Sequence, residues 1–195
     1  MNIAIVGGGI FGCQAALALR TKFPSAKITI FEKLRNIMNA ASMINQFRLH
    51  RGYHYPRSTE TVEQQMRSIL EFEYEYSESI IHGKRHYGIA KSGSLTTTDE
   101  YITFLFDNNL PFKQVNVDNY SSIIRPDQID SLFIVDEHSF DSNKLYDLVH
   151  EKLNKHNINI VCNYSFTMND RANYDLVINS TYNQLNAILD NSDKI

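Results

Sequence analysis

Residues 1–12, MNIAIVGGGIFG, constrain this 195-residue chain more than any other stretch. Asn2 to Val6 is a short apolar run rich in β-branched side chains, stopped by three glycines, as a strand buried on both faces requires. Ile10, Cys13, Ala16, Leu17 and Ala18 then make an apolar or small-residue helical stripe that ends before Pro24. Lys27 to Phe31 (KITIF) is a second buried-type strand. Strand, helix and strand in this order imply a parallel pair joined by a right-handed crossover.

Gly7, Gly9 and Gly12 fill the pattern G-x-G-x-x-G between the first strand and the helix. Gly7 permits the tight turn, Gly9 lets a diphosphate approach the backbone, and Gly12 lets helix and strand pack closely. Ile10 and Phe11 open the helix, where unpaired N–H groups and the positive end of the dipole face the phosphates. Glu32 ends the second strand twenty residues after Gly12, the spacing at which a carboxylate accepts hydrogen bonds from ribose hydroxyls. Its charge would repel a 2′-phosphate, which argues against NADP; Lys33 follows it as a further cofactor-binding candidate. The motif implies an adenine dinucleotide and leaves NAD and FAD open.

Composition places the chain among ordinary globular proteins, with 43% hydrophobic and 21% charged residues. Nineteen basic against 22 acidic residues give a net charge of −3, so neither nucleic acid nor an anionic membrane is an expected partner. Cys13 and Cys162 read as reduced, buried residues of a reducing compartment. No apolar run approaches the ~18 residues of a membrane span, and no basic segment precedes the first strand. A cytoplasmic protein is expected.

The near-neutral total hides an asymmetry. Residues 33–59 carry Lys33, Arg35, Arg48, Arg51 and Arg57 and no acid, whereas the helix expected over 59–79 carries Glu60, Glu63, Glu71, Glu73, Glu75 and Glu78. Further strands are expected at 85–91, 131–136, 158–162 and 175–179, and helices at 98–108 and from a cap at Asp141 through Leu153. A brief helix-like stretch over 182–191 and a polar tail follow.

The basic loop is the densest stretch of functional-looking residues. Ser42, Asn45, His50, Gly52 and Tyr55-Pro56 stand in an order that resembles the D-amino-acid oxidase/glycine oxidase superfamily of FAD-dependent oxidoreductases. Tyr87 to Ser94, Phe140-Asp141 with Leu145, and the strand ending in Thr181 resemble later parts of the same superfamily. The resemblance implies FAD as cofactor, with Gly7, Gly9, Gly12 and Glu32 on its ADP part. It implies Ser42, Asn45 and His50 along the ribityl chain and ring, and Thr181 on the phosphates or ribityl chain. A cation such as Arg48 beside the flavin ring would favour electron uptake. Arg48 or Arg51 is also a candidate clamp for a substrate carboxylate.

His50 and His54 have the spacing of two metal ligands, but Arg51 replaces the glutamate of that motif and Gly52 weakens the helix it needs, so no metal is expected. Cys13 is expected to pack against the first strand rather than to react.

The expected fold is α/β. A Rossmann-like parallel-sheet FAD-binding domain is built from residues 1–80 and 140–195, with residues 81–139 inserted as part of a substrate domain. The expected reaction is hydride removal from an amino or 2-hydroxy acid. No catalytic base is assigned, since hydride transfer relies mainly on positioning. Superfamily members are commonly about twice this length and have a small residue or glycine where Tyr182 stands. The chain is therefore expected to be an N-terminal half, a truncated product, or one of two complementing chains. The alternatives are a non-catalytic nucleotide-binding remnant and an NAD-dependent dehydrogenase.

Overall fold

The computed structural model describes residues 1–189 and divides into two compact units, Met1–Gln46 with Ser142–Ile195, and Phe47–Asp141. The sequence placed these divisions at 80/81 and 139/140. The first lies earlier in the structure because the helix after the basic loop packs with the inserted residues: its Val62 shares a core with Tyr53, Tyr101, Phe104, Leu105, Leu110, Phe133 and Val135.

The first unit opens as expected with β1 (Asn2–Val6), α1 (Ile10–Lys22) and β2 (Lys27–Phe31). The chain passes through the second unit and returns as α4 (Ser142–Lys155), β8 (Asn159–Val161), a short α5 (Met168–Arg171) and β9 (Leu176–Asn179). The four strands form one fully parallel sheet in the order β8-β2-β1-β9. The fold class is α/β, as the apolar β-branched strands require: each can bury both faces only with helices or loops over the sheet. α1 buries Gly12, Cys13 and Ala16 and packs with α4, which buries Leu145, Val149 and Leu153 at helical spacing. A separate core joins Ala4, Val6 and Phe31 to Phe166 and Ile188, with the Phe31 ring against Tyr164, Phe166 and Tyr174 at 5.1–5.7 Å.

The second unit contains α2 (Thr59–Glu75), β3 (Ile80–Ile81), β4 (Arg85–Ala90), α3 (Thr98–Asp107), β5 (Phe112–Val115), β6 (Ile129–Val135) and β7 (Ser139–Phe140). β4, β6 and β5 form an antiparallel sheet in that order, and β3 pairs with β7. α2 stops at Glu75 and gives way to a 3-10 turn over Ser77–Ser79, four residues before the expected end. β5 escaped the sequence reading because Phe112–Val115 alternates too briefly, with Lys113 and Gln114 both exposed. Past β9, Tyr182–Ile188 forms two short 3-10 turns that meet at a kink at Gln184; the end of the expected helix-like stretch and the polar tail lie outside the described residues. Among the described residues, no helix is long and apolar enough to cross a membrane.

Candidate functional site

Register brings the candidate dinucleotide residues together. Val6 at the end of β1 lies opposite Phe31 of β2 on one side and Asn179 of β9 on the other. Gly7, Glu32 and Thr181 therefore leave the carboxyl edge of three neighbouring strands, where α/β sheets bind ligands. The turn is tied down on both sides: Gly7 N–H donates to the Phe31 carbonyl at 2.8 Å, and Ser180 N–H donates to the Val6 carbonyl at 2.8 Å.

The three motif glycines do different jobs. Gly7 has φ of +101°, and a Cβ there would stand 2.5 Å from the Ser180 carbonyl oxygen. A Cβ on Gly12 would meet the Gly7 carbonyl oxygen at 2.0 Å, so helix and turn touch backbone to backbone. Gly9, the residue capping α1, has ordinary φ, and its Cβ direction meets nothing closer than the Ser42 hydroxyl at 3.5 Å. The middle glycine alone leaves open space, the cradle a diphosphate needs.

The helix mouth carries no acidic side chain. The N–H groups of a first helical turn have no partner within the helix. Here the Ile10 N–H donates to the Ser42 hydroxyl at 3.0 Å. That hydroxyl keeps its own proton to donate, and it stands beside the helix mouth. Phe11 projects outward and is 84% exposed.

Glu32 is buried at the end of β2. Its Oε2 accepts from the Gly8 N–H at 2.8 Å and its Oε1 from the Leu34 N–H at 2.9 Å. Each oxygen retains a lone pair for a ribose hydroxyl. Lys33 points away to Gln184, at 2.8 Å. Thr181 donates its hydroxyl to Asn179 Oδ1 at 2.7 Å, and Asn45 donates its side-chain amide to the Ala41 and Ser42 carbonyls at 3.1 and 3.2 Å, closing the local turn. Cys13 is buried with its thiol 3.6 Å from the Gly8 carbonyl. Burial first, and the Glu32 charge second, push that thiol up to about 12.

In the second unit the basic loop is less cationic than its composition suggests. Arg48 lies against Glu137 at 2.5 Å and donates to the Tyr87 hydroxyl at 2.6 Å; Tyr87 in turn donates to Glu137 at 2.8 Å. Arg51 pairs with Glu73 of α2 at 2.5 Å. Arg48 and Arg51, the two candidate clamps for a substrate carboxylate, each already hold a carboxylate of this chain. His50 Nδ1 is 3.5 Å from Glu137 Oε1, and its ring lies 6.0 Å from that of His54. Glu137 was missed because an Asp136-Glu137 pair after a strand looks like turn punctuation; only the complete burial of Glu137 marks it. Burial opposes its charge, but the nearby His50 ring, hydrogen bonds from Tyr87 and Arg48, and the Arg48 charge outweigh that and hold its carboxyl below the usual range. Among the described residues no group of three or more His, Cys, Asp or Glu is placed to hold a metal.

A parallel β–α–β unit with a glycine turn against the helix mouth and a buried acid ending the second strand defines a Rossmann-type dinucleotide-binding fold. Sequence comparison narrows the class: the chain belongs to the FAD dependent oxidoreductase family, whose model matches residues 2–163. It is 31% identical over 114 residues to the FAD-dependent monooxygenase FPY4 of Fusarium mangiferae, a match covering 58% of this chain and 30% of that protein. It is 34% identical over 82 residues to the FAD-dependent monooxygenase kojA of Aspergillus flavus, covering 42% and 19%. Among solved structures it resembles L-proline dehydrogenase from P. horikoshii (TM-score 0.70, 16% identity, 96% of this chain and 54% of that one). Glycine oxidase from Geobacillus kaustophilus is similar over 83% of this chain and 46% of its own (TM-score 0.59, 16% identity). At such identity the structural likeness concerns the fold. The chain spans about half the length of these structures, and its matches cover a third or less of the curated relatives.

Proposed function

We propose that this chain binds FAD and supplies the nucleotide-holding part of an oxidoreductase that takes hydride from the α-carbon of an amino or 2-hydroxy acid. The observation that carries the reading is the open Cβ direction at Gly9 between two glycines that admit no side chain. Gly7, Gly9 and Gly12, with the amides of Ile10 and Phe11, hold the diphosphate. Ser42 adds its hydroxyl proton, and Glu32 accepts from the ribose hydroxyls. Asn45, His50 and Thr181 act along the ribityl chain and ring, as the family resemblance implies. When bound, the flavin supplies the two-electron acceptor chemistry. The chain's own residues bind and orient it. Arg48, neutralised by Glu137, acts as a fixed hydrogen-bond donor rather than as a free cation.

The substrate is a small molecule, and the family's amino-acid-oxidising members support a carboxylate. A complementing chain that covers the flavin ring is a further part of the proposal, supported by the share of the solved structures that this chain leaves unmatched. The curated relatives, named as FAD-dependent monooxygenases, favour a second reading, in which the same residues would hold FAD for a monooxygenation.

The test is purification of the tag-free chain followed by absorbance spectroscopy and titration with FAD and NADH. Yellow protein, or saturable FAD binding abolished by Gly9→Val, is expected. A colourless chain that binds NADH and not FAD would overturn the assignment. FAD binding without turnover in the chain alone, rescued by no added chain, would leave a nucleotide-binding remnant.

A further inference from the structure

Two turns of the second unit bring His82 and His138 together. His82 follows β3, and His138 lies between β6 and β7. Their rings meet edge to face with centroids 4.6 Å apart, and His82 Nδ1 lies 3.3 Å from His138 Nε2. The cofactor reading gives these residues no role. They are 56 positions apart in sequence and are joined by the pairing of β3 with β7 on one side and of β4 with β6 on the other.

The distance is informative. Zinc–imidazole bonds of about 2.0–2.1 Å in tetrahedral geometry put two ligand nitrogens about 3.3 Å apart. The outer nitrogen of His138 is also prepared. Its Nδ1 stands 3.2 Å from the Gly83 carbonyl oxygen and 3.3 Å from the Gly83 nitrogen. With a proton on Nδ1 it donates to that carbonyl, and Nε2 presents a lone pair towards His82. Without that proton it accepts from the Gly83 N–H, and Nε2–H donates to His82. Gly83 thus satisfies both tautomers. The first is the arrangement by which metal-bound histidines are oriented, the second ring nitrogen donating to a backbone carbonyl.

The surroundings do not oppose a cation. Of the charged residues in the same two turns, Lys84 and Asp136 pair with each other at 3.8 Å, and Glu137 is buried against Arg48 at 2.5 Å. His82 is exposed, so its ring can turn towards an ion without displacing packed atoms, and solvent can fill the remaining coordination positions.

We propose that His82 Nδ1 and His138 Nε2 form a two-imidazole site for a late divalent transition-metal ion, with water completing its coordination. Two neutral nitrogens and no carboxylate select zinc, nickel or copper over magnesium and calcium, which require oxygen ligands.

Tag-free full-length protein is titrated with Ni²⁺ by calorimetry and, separately, with Cu²⁺ while histidine ring protons are followed by NMR. One ion per chain is expected, with broadening centred on His82 and His138. His82→Ala, an exposed replacement that leaves the packing intact, and His138→Ala should each weaken binding by about tenfold or more. Mg²⁺ should give no heat. Absence of saturable Ni²⁺ binding, or binding unchanged in the double variant, would overturn the site and leave the rings as a hydrogen-bonded clasp. FAD retention should be the same with and without metal, so loss of one reading does not carry the other with it.

Discussion

The backbone N–H of Gly8 donates to Oε2 of Glu32 at 2.8 Å, tying the glycine turn after the first strand to the acid that ends the second. A Cβ on Gly8 would collide with Ile37 Cγ2 at 2.8 Å, so the second glycine of the run is required by this close packing. The carboxylate is therefore oriented by the protein before any ribose arrives.

Glu32→Ala removes the acceptor of two backbone N–H groups and, on the proposed function, a ribose contact. Stability is expected to fall by about 1–3 kcal/mol through the orphaned Gly8 and Leu34 amides. FAD affinity should fall by a similar amount, measured on protein shown by circular dichroism to be folded. Unchanged thermal stability would mean that the carboxylate does not hold the turn.

Gly9→Ala and Gly12→Ala should separate binding from folding. Gly9 has ordinary φ and open space, so its alanine variant is expected to unfold within about 0.5 kcal/mol of the parent while losing FAD affinity. Gly12→Ala forces a methyl group against the Gly7 carbonyl and should cost about 3 kcal/mol or more, or yield no soluble protein. Chemical denaturation of the two variants side by side is the measurement.

Glu137→Gln leaves Arg48 beside a neutral amide in a buried setting. A loss of about 3 kcal/mol is expected near neutral pH. Because the folded-state carboxyl of Glu137 lies below its ordinary value of 4.5, its contribution is fully present above that value and fades as pH falls through the lower folded one. The parent should therefore lose stability below about pH 4.5 more steeply than the variant. Parallel acid limbs in the two denaturation profiles would contradict the network.

Cys13 should resist alkylation at pH 8 in the native state, since burial pushes its thiol up to about 12. Cys162, half-buried, should react first, and denaturant should release Cys13. Peptide mass mapping after timed alkylation distinguishes the two sites.

Tyr182 adopts φ of +57° and is exposed, a left-handed conformation that costs a bulky residue roughly 1–2 kcal/mol. Tyr182→Gly is expected to recover about 1 kcal/mol, read as a higher midpoint in urea.

Local rules sufficed for the β–α–β opening. Its strands are apolar on both faces, its glycines permit only one turn, and Glu32 falls at the end of β2 by spacing alone. The later strands at β8 and β9 and the amphipathic α4 were legible for the same reason: each carries its periodicity within a few residues. Tertiary structure decided what became of the charges. Sequence shows five cations in residues 33–59 and an acidic helix after them, but not that Arg51 would find Glu73 or that Arg48 would face Glu137, 89 positions away. It likewise could not show the 3.3 Å approach of His82 to His138, which depends on the pairing of β3 with β7 and of β4 with β6 on either side of it. Hydrophobic period is a property of neighbours along the chain. The partner of a polar side chain is set by the closing of long loops, and no local pattern encodes it.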